Sequence, residues 1–73
     1  MTKGEYRVGI NFNPSNNDTV SKIKQMAAEM IDLVEEINAH ADGPHTEVMR
    51  LKSIAQTHIE DAAMWAVKAA TKQ

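Results

Sequence analysis

Cysteine is absent from the 73 residues, so neither a disulfide nor a thiolate zinc site can reinforce the fold. Aromatic side chains are scarce, with one Phe, one Tyr and one Trp, so a core of stacked rings is excluded. No stretch approaches the roughly 18 apolar residues of a membrane-spanning helix, and no apolar h-region of a signal peptide is present. A cytoplasmic protein that does not engage a membrane is therefore expected. Positive charge is not in excess either: the net charge is −2 and the pI about 5.8. Duplex nucleic acid is consequently an unsuitable partner. A chain this short supports one domain, and its core is small enough that self-association is a natural way to stabilise it.

What is present divides at about residue 19. Residues 1–19 contain Gly4, Gly9, Pro14 and the cluster Asn11, Asn13, Ser15, Asn16, Asn17 and Asp18, which is turn chemistry. Tyr6, Val8, Ile10 and Phe12 alternate with other residues, predicting a short extended N-terminal arm. From residue 20 to 73 the period becomes helical. Val20, Ile23, Ala27, Met30, Val34 and Ile37 follow a 3,4 spacing, as do Val48, Leu51, Ala55, His58, Ala62, Trp65 and Ala69. Asn17 or Asp18 suits the first N-cap. Gly43 suits a left-handed C-terminal position, and Pro44 the first turn of the next helix. The expected fold is all-α: an antiparallel two-helix hairpin, with helices over about 18–40 and 45–71, preceded by the arm.

Two helices cannot cover all the apolar residues. Met26, Ile31 and Leu33 widen the first stripe, and the stretch Ala62–Ala70 is apolar nearly all round. Met64, Trp65, Ala66 and Ala69 are thus expected at an interface between copies of the chain. Charge is also uneven. In an antiparallel hairpin, residues 1–24 and 62–73 share one pole, where Lys3, Arg7, Lys22, Lys24, Lys68 and Lys72 outnumber Glu5 and Asp18. Lys68 and Lys72 suit a helix C-terminus. Lys22 and Lys24, near a helix start, suit an anion.

Catalytic chemistry is not indicated. His40, His45 and His58 have no partner at metal-ligand spacing. Glu35–Glu36 and Glu60–Asp61 are adjacent pairs whose side chains diverge, as on a solvated face. No phosphate-binding Gly-rich loop or serine elbow occurs. No metal, cofactor or catalytic residue is expected.

The segment from Arg50 to Ala69, with Thr57, Glu60, Ala62 and Met64-Trp65-Ala66 at its centre, resembles a phage family. That family is the hairpin domain shared by anti-CBASS protein two and Thoeris anti-defence protein one. Ile23-Lys24, Ala27 and Glu29 are similar to its first helix, and Phe12-Asn13-Pro14 to its aromatic-x-Pro entry, so the resemblance covers roughly residues 10–72. It implies a homohexameric sponge in the host cytoplasm during infection, binding cyclic nucleotide messengers without cleaving them. It also implies a cyclic dinucleotide site between subunits, with Phe12 stacking a base and Lys22 or Lys24 on phosphate. Asn11 and Asn13 beside Phe12, and Lys72 at the basic pole, complete the expected set. No arginine matches the family's threefold trinucleotide site. A sponge for Thoeris cyclic ADP-ribose-type signals and a helical protein-interaction module are the alternatives.

Overall fold

Residues 1–72 are described by the computed structural model as three helices: α1 (Lys3–Val8), α2 (Asp18–Glu35) and α3 (His45–Thr71). Gln73, the last residue of the expected hairpin segment, lies outside them. The described residues are all-α, as the periodicity predicts.

The extended arm is not what forms: Lys3–Val8 is helical. Thr2 and Glu5 make a capping box in which Thr2 Oγ1 accepts from the Glu5 N–H at 3.1 Å and the Thr2 N–H donates to Glu5 Oε1 at 2.8 Å. Gly9 ends the helix at φ 65°. Its N–H donates to the Tyr6 carbonyl at 3.3 Å, and the Ile10 N–H to the Glu5 carbonyl at 3.0 Å. These two bonds form a Schellman closure. A pair of local caps therefore overrides a weak two-residue alternation.

α1 lies against α2 at backbone distance. A Cβ on Gly4 would stand 2.1 Å from the Ala28 carbonyl oxygen, so only glycine fits there. The Gly4 N–H donates to Asp32 Oδ1 at 2.7 Å. Lys3 Nζ reaches Glu35 Oε1 at 2.9 Å and Gln56 Oε1 at 3.0 Å, while Gln56 Nε2 donates to Glu35 Oε1 at 3.0 Å. Arg7 Nε pairs with Glu60 Oε1 at 2.6 Å. α1 thus runs antiparallel to α2, with Lys3 near the C-terminal end of α2. Glu35 and Glu60 are clasp residues for α1, not members of a merely solvated face.

α2 stops at Glu35, short of the expected residue 40, and Gly43 is not the left-handed residue that ends it. Lys52 supplies the reason. Its side chain crosses from α3 and donates to the carbonyls of Glu35 at 2.9 Å and Ile37 at 2.6 Å. A cation on these free carbonyls complements the negative end of the helix. Residues 36–44 then make the connection, with Gly43 N–H donating to the His40 carbonyl at 2.7 Å. Pro44 is the N-cap of α3, not a residue of its first turn.

The face that α3 turns inward is also not the expected one. Lys52, Gln56 and Ala63 are buried, whereas Leu51, His58, Ala62, Trp65 and Ala69 are exposed. On α2 the buried residues are Val20, Lys24, Ala28 and Ile31, rotated from the row that ends at Met30 and Ile37. Gln56, 2% exposed, donates to the Ile31 carbonyl at 3.2 Å. Polar side chains occupy the inner face because they bond backbone and carboxylate groups that apolar chains would leave unsatisfied. The apolar rows consequently point outward.

Gly4→Ala is expected to displace α1, since backbone and not a flexible side chain blocks the added methyl. The cost should be about 1–3 kcal/mol, on the scale of overpacking, in denaturant unfolding. Gln56 first and Lys3 second hold the Glu35 carboxyl at about 2, below its ordinary 4.5. A depressed folded pKa stabilises above the unfolded value and loses that stabilisation as pH falls. Wild-type stability should therefore decline more steeply than that of Glu35→Gln between pH 4.5 and 2, read by chemical denaturation at each pH.

Candidate ligand-binding surface

Between α1 and α2 the chain makes a tight polar turn that presents one aromatic ring. Asn17 caps α2 by accepting from the Val20 N–H at 3.1 Å. Asn16 sits at φ 51°, a conformation that asparagine tolerates. Asn13 holds the turn together. Its Nδ2 donates to the Asn17 carbonyl and to Ser21 Oγ, both at 2.9 Å, and its Oδ1 accepts from the Asn17 N–H at 3.1 Å. Asn13 is thus engaged in holding the turn. Asn11 is exposed.

Phe12 projects from this turn with 73% of its surface exposed. Beneath it Lys24, 7% exposed, places Nζ 5.4 Å from the ring centroid. Lys24 Nζ also donates to the Gly9 carbonyl at 2.9 Å and to the Phe12 carbonyl. Of the two candidate phosphate lysines, Lys24 is therefore turned inward. Lys22 is exposed and takes part in no hydrogen bond or ion pair among the described residues. Lys72 lies exposed at the end of α3, at the C-cap.

The basic pole is consequently smaller than charge counting predicts. Lys3 is carried to the opposite end of α2 and paired with Glu35, and Arg7 is neutralised by Glu60. Beside the turn, a groove of about 430 Å³ opens between Arg7 and Val8 of α1, Lys24 of α2, and Thr57, Glu60 and Met64 of α3. It carries both signs of charge.

The distinctive part of α3 has its own geometry. Trp65 is 56% exposed; its Nε1 donates to Asp61 Oδ1 at 3.2 Å, and Lys68 Nζ stands 5.1 Å from the ring centroid. One helical turn on either side thus fixes the indole. Met64 and Ala69 are exposed and Ala66 is half-buried. Among the described residues no cluster of His, Asp and Glu could hold a metal ion. No helix among them is long and apolar enough to cross a membrane.

Residues 4–71 match the family described as Acb2/Tad1, hairpin domain. The chain belongs to this family. No curated protein and no solved structure matches it. The family is a sponge-type anti-defence domain, which supports a general anti-defence role for the chain. Its match begins at Gly4, the residue on which α1 docks, so the hairpin family as matched here includes the short first helix. Gly4, Arg7, Asp32, Lys52 and Gln56 are functional parts of the fold that pattern reading passes over. For α1 the signal was present in Thr2-x-x-Glu5 followed by Gly9. For Lys52 and Gln56 no local signal exists, because their partners are distant in sequence, on α1, α2 and the connection after α2.

Removing the Asn13 amide should loosen the turn without any ligand being present. Asn13→Ala is expected to lose about 1–2 kcal/mol, the scale of one to two net hydrogen bonds, in denaturant unfolding.

Proposed function

We propose that the chain is a phage anti-defence sponge that binds a cyclic dinucleotide and withholds it, uncleaved, from a host immune effector. The observation that carries this reading is the exposed Phe12 ring on an anchored turn, in a chain of the Acb2/Tad1 hairpin family. A solvent-facing ring supplies a stacking surface for a base, and Lys22 supplies an unengaged cation for phosphate. Asn11 is adjacent to Phe12 in sequence, and Lys72 at the end of α3 is a second cation with no partner among the described residues. Phenylalanine retains stacking but donates no hydrogen bond, so affinity rests on the face of the ring.

The assembled form is a homohexamer acting in the host cytoplasm. Support comes from the shape of the single chain. Its radius of gyration is 14.1 Å, against about 11 Å for a compact domain of this length. Its principal extents, 49, 21 and 12 Å, describe an elongated shape. Met26, Met30 and Leu33 on α2 and Leu51, Ile54 and Trp65 on α3 are all exposed. An apolar surface this extensive suits contact with further copies. Met64, Trp65, Ala66 and Ala69 are the interface residues.

Thermal shift with a panel of cyclic dinucleotides and cyclic ADP-ribose isomers tests the reading, since a bound ligand raises Tm with its concentration over Kd. A cyclic dinucleotide should raise Tm most, and heating the complex should return it chemically intact. Phe12→Ala should weaken binding by about 1–3 kcal/mol and leave the hexamer, read by light scattering, unchanged. A linear product after release, or a monomer at micromolar concentration, would refute the proposal.

A further inference from the structure

Of the two candidate phosphate lysines, Lys24 is the less available to a ligand. Lys24 is 7% exposed, and a buried ammonium group requires hydrogen-bond partners to offset its lost hydration. The partners here are two main-chain carbonyls, those of Gly9 and Phe12. They bracket the turn that delivers the aromatic ring. The Gly9 carbonyl accepts a second time, from the Phe12 N–H at 2.9 Å, so the turn is closed both within itself and through Lys24. Gly9 is also the left-handed end of α1, so one cation joins the end of that helix, the turn and α2.

We propose that Lys24 is a positioning residue: its ammonium group clamps the Gly9 and Phe12 carbonyls and so sets the Phe12 ring, leaving ligand phosphate to Lys22. This inference rests on the cyclic dinucleotide reading above. Two of the three Lys24 N–H donors are already engaged. A phosphate drawing Nζ away would release both carbonyls and free the turn on which the ring is mounted. Lys22, two residues earlier in α2 and exposed, meets an anion without that cost. The two lysines thus divide the work of orienting the base and neutralising the phosphate.

The test uses the full chain and the variants Lys24→Met, Lys24→Arg and Lys22→Met, with a 3′,3′-linked cyclic dinucleotide as probe. Methionine keeps the length and much of the volume of the buried stem without its donors. Arginine keeps the donors. Without ligand, exchange of the Phe12 amide should accelerate about tenfold or more in Lys24→Met, the scale of losing charge-assisted bonds. Exchange in the α2–α3 core, read at Ile31, should not change, and Lys24→Arg should restore part of the protection at Phe12. With ligand, Lys24→Met should weaken binding about tenfold or more while its salt dependence stays as in wild type. Lys22→Met should flatten that salt dependence, because an exposed charge–phosphate contact is screened.

Unchanged Phe12 protection in Lys24→Met would overturn the clamp, as would a flattened salt dependence in that variant. If Lys24→Met unfolds globally, Lys24→Arg decides: native exchange at Phe12 with wild-type salt dependence supports the clamp, and loss of both overturns it. If wild type binds no cyclic dinucleotide, the functional reading fails by itself. The exchange measurement then still decides whether Lys24 holds the Phe12 turn.

Discussion

The approach of α1 to α2 depends on one missing methyl group. Because residue 4 has no Cβ, its backbone lies against the Ala28 carbonyl, and the Gly4 N–H meets the Asp32 carboxylate. Everything at the candidate surface is positioned from that contact. It brings Lys3 to Glu35 and Gln56 on one side and Arg7 to Glu60 on the other. It also sends the chain out of Gly9 toward Lys24, so the turn bearing Phe12 begins from a fixed point. A helix of six residues has no stability by itself. Here it persists because both ends are capped and its middle is pinned by backbone contact.

The hairpin is organised inside out relative to a soluble two-helix unit. Its inner face contains Lys24, Lys52 and Gln56, whose long stems pack while their polar ends satisfy carbonyls of other segments. Val20, Ala28, Ile31 and Ala63 are the only hydrophobic residues fully buried among those described. Such a core gives little hydrophobic stabilisation to a single chain. The outer face has the larger side chains, including Met30, Leu33, Leu51, Ile54 and Trp65. Polar bonds thus specify how one chain folds, while the apolar rows stay exposed in the single chain. A single chain can therefore be elongated and still hold a defined shape.

Much of this was legible from residue patterns, and the failures share a cause. Helical periodicity from Val20 onward identified the all-α class, and the apolar surplus around Trp65 identified a surface that one chain does not cover. The seam was placed on the wrong face because period counting treats Lys52 and Gln56 as solvent-facing. Their acceptors are on α2 and the connection just after it, 15 to 25 residues away in sequence, and no local pattern records them. The same blindness extended the first long helix past Glu35, where Lys52 terminates it. By contrast, the short first helix was missed although its signal was local. Thr2-x-x-Glu5 and Gly9 mark both ends, but the alternation of Tyr6, Val8, Ile10 and Phe12 reads more readily as a strand. At the candidate surface, Phe12 is exposed. The duties of Asn13 and Lys24 could emerge only from the bonds they make.

Most cations of this acidic chain already have a partner. Lys3, Arg7 and Arg50 are paired with glutamates. Lys24 and Lys52 hold backbone carbonyls, and Lys68 covers the Trp65 ring. Of the eight Lys and Arg residues in the sequence, Lys22 and Lys72 remain unengaged in the described structure. Asp18 stands one turn before Lys22 on α2 without pairing to it in the described structure, while most of the acidic excess lies farther along the chain. Glu36, at the far end of α2, lies roughly 20 Å from Lys22 along the helix axis, beyond the Debye length of about 8 Å at physiological ionic strength. The field around Lys22 is therefore set by Lys22 and Asp18 together, while the net charge of −2 describes the molecule only at a distance.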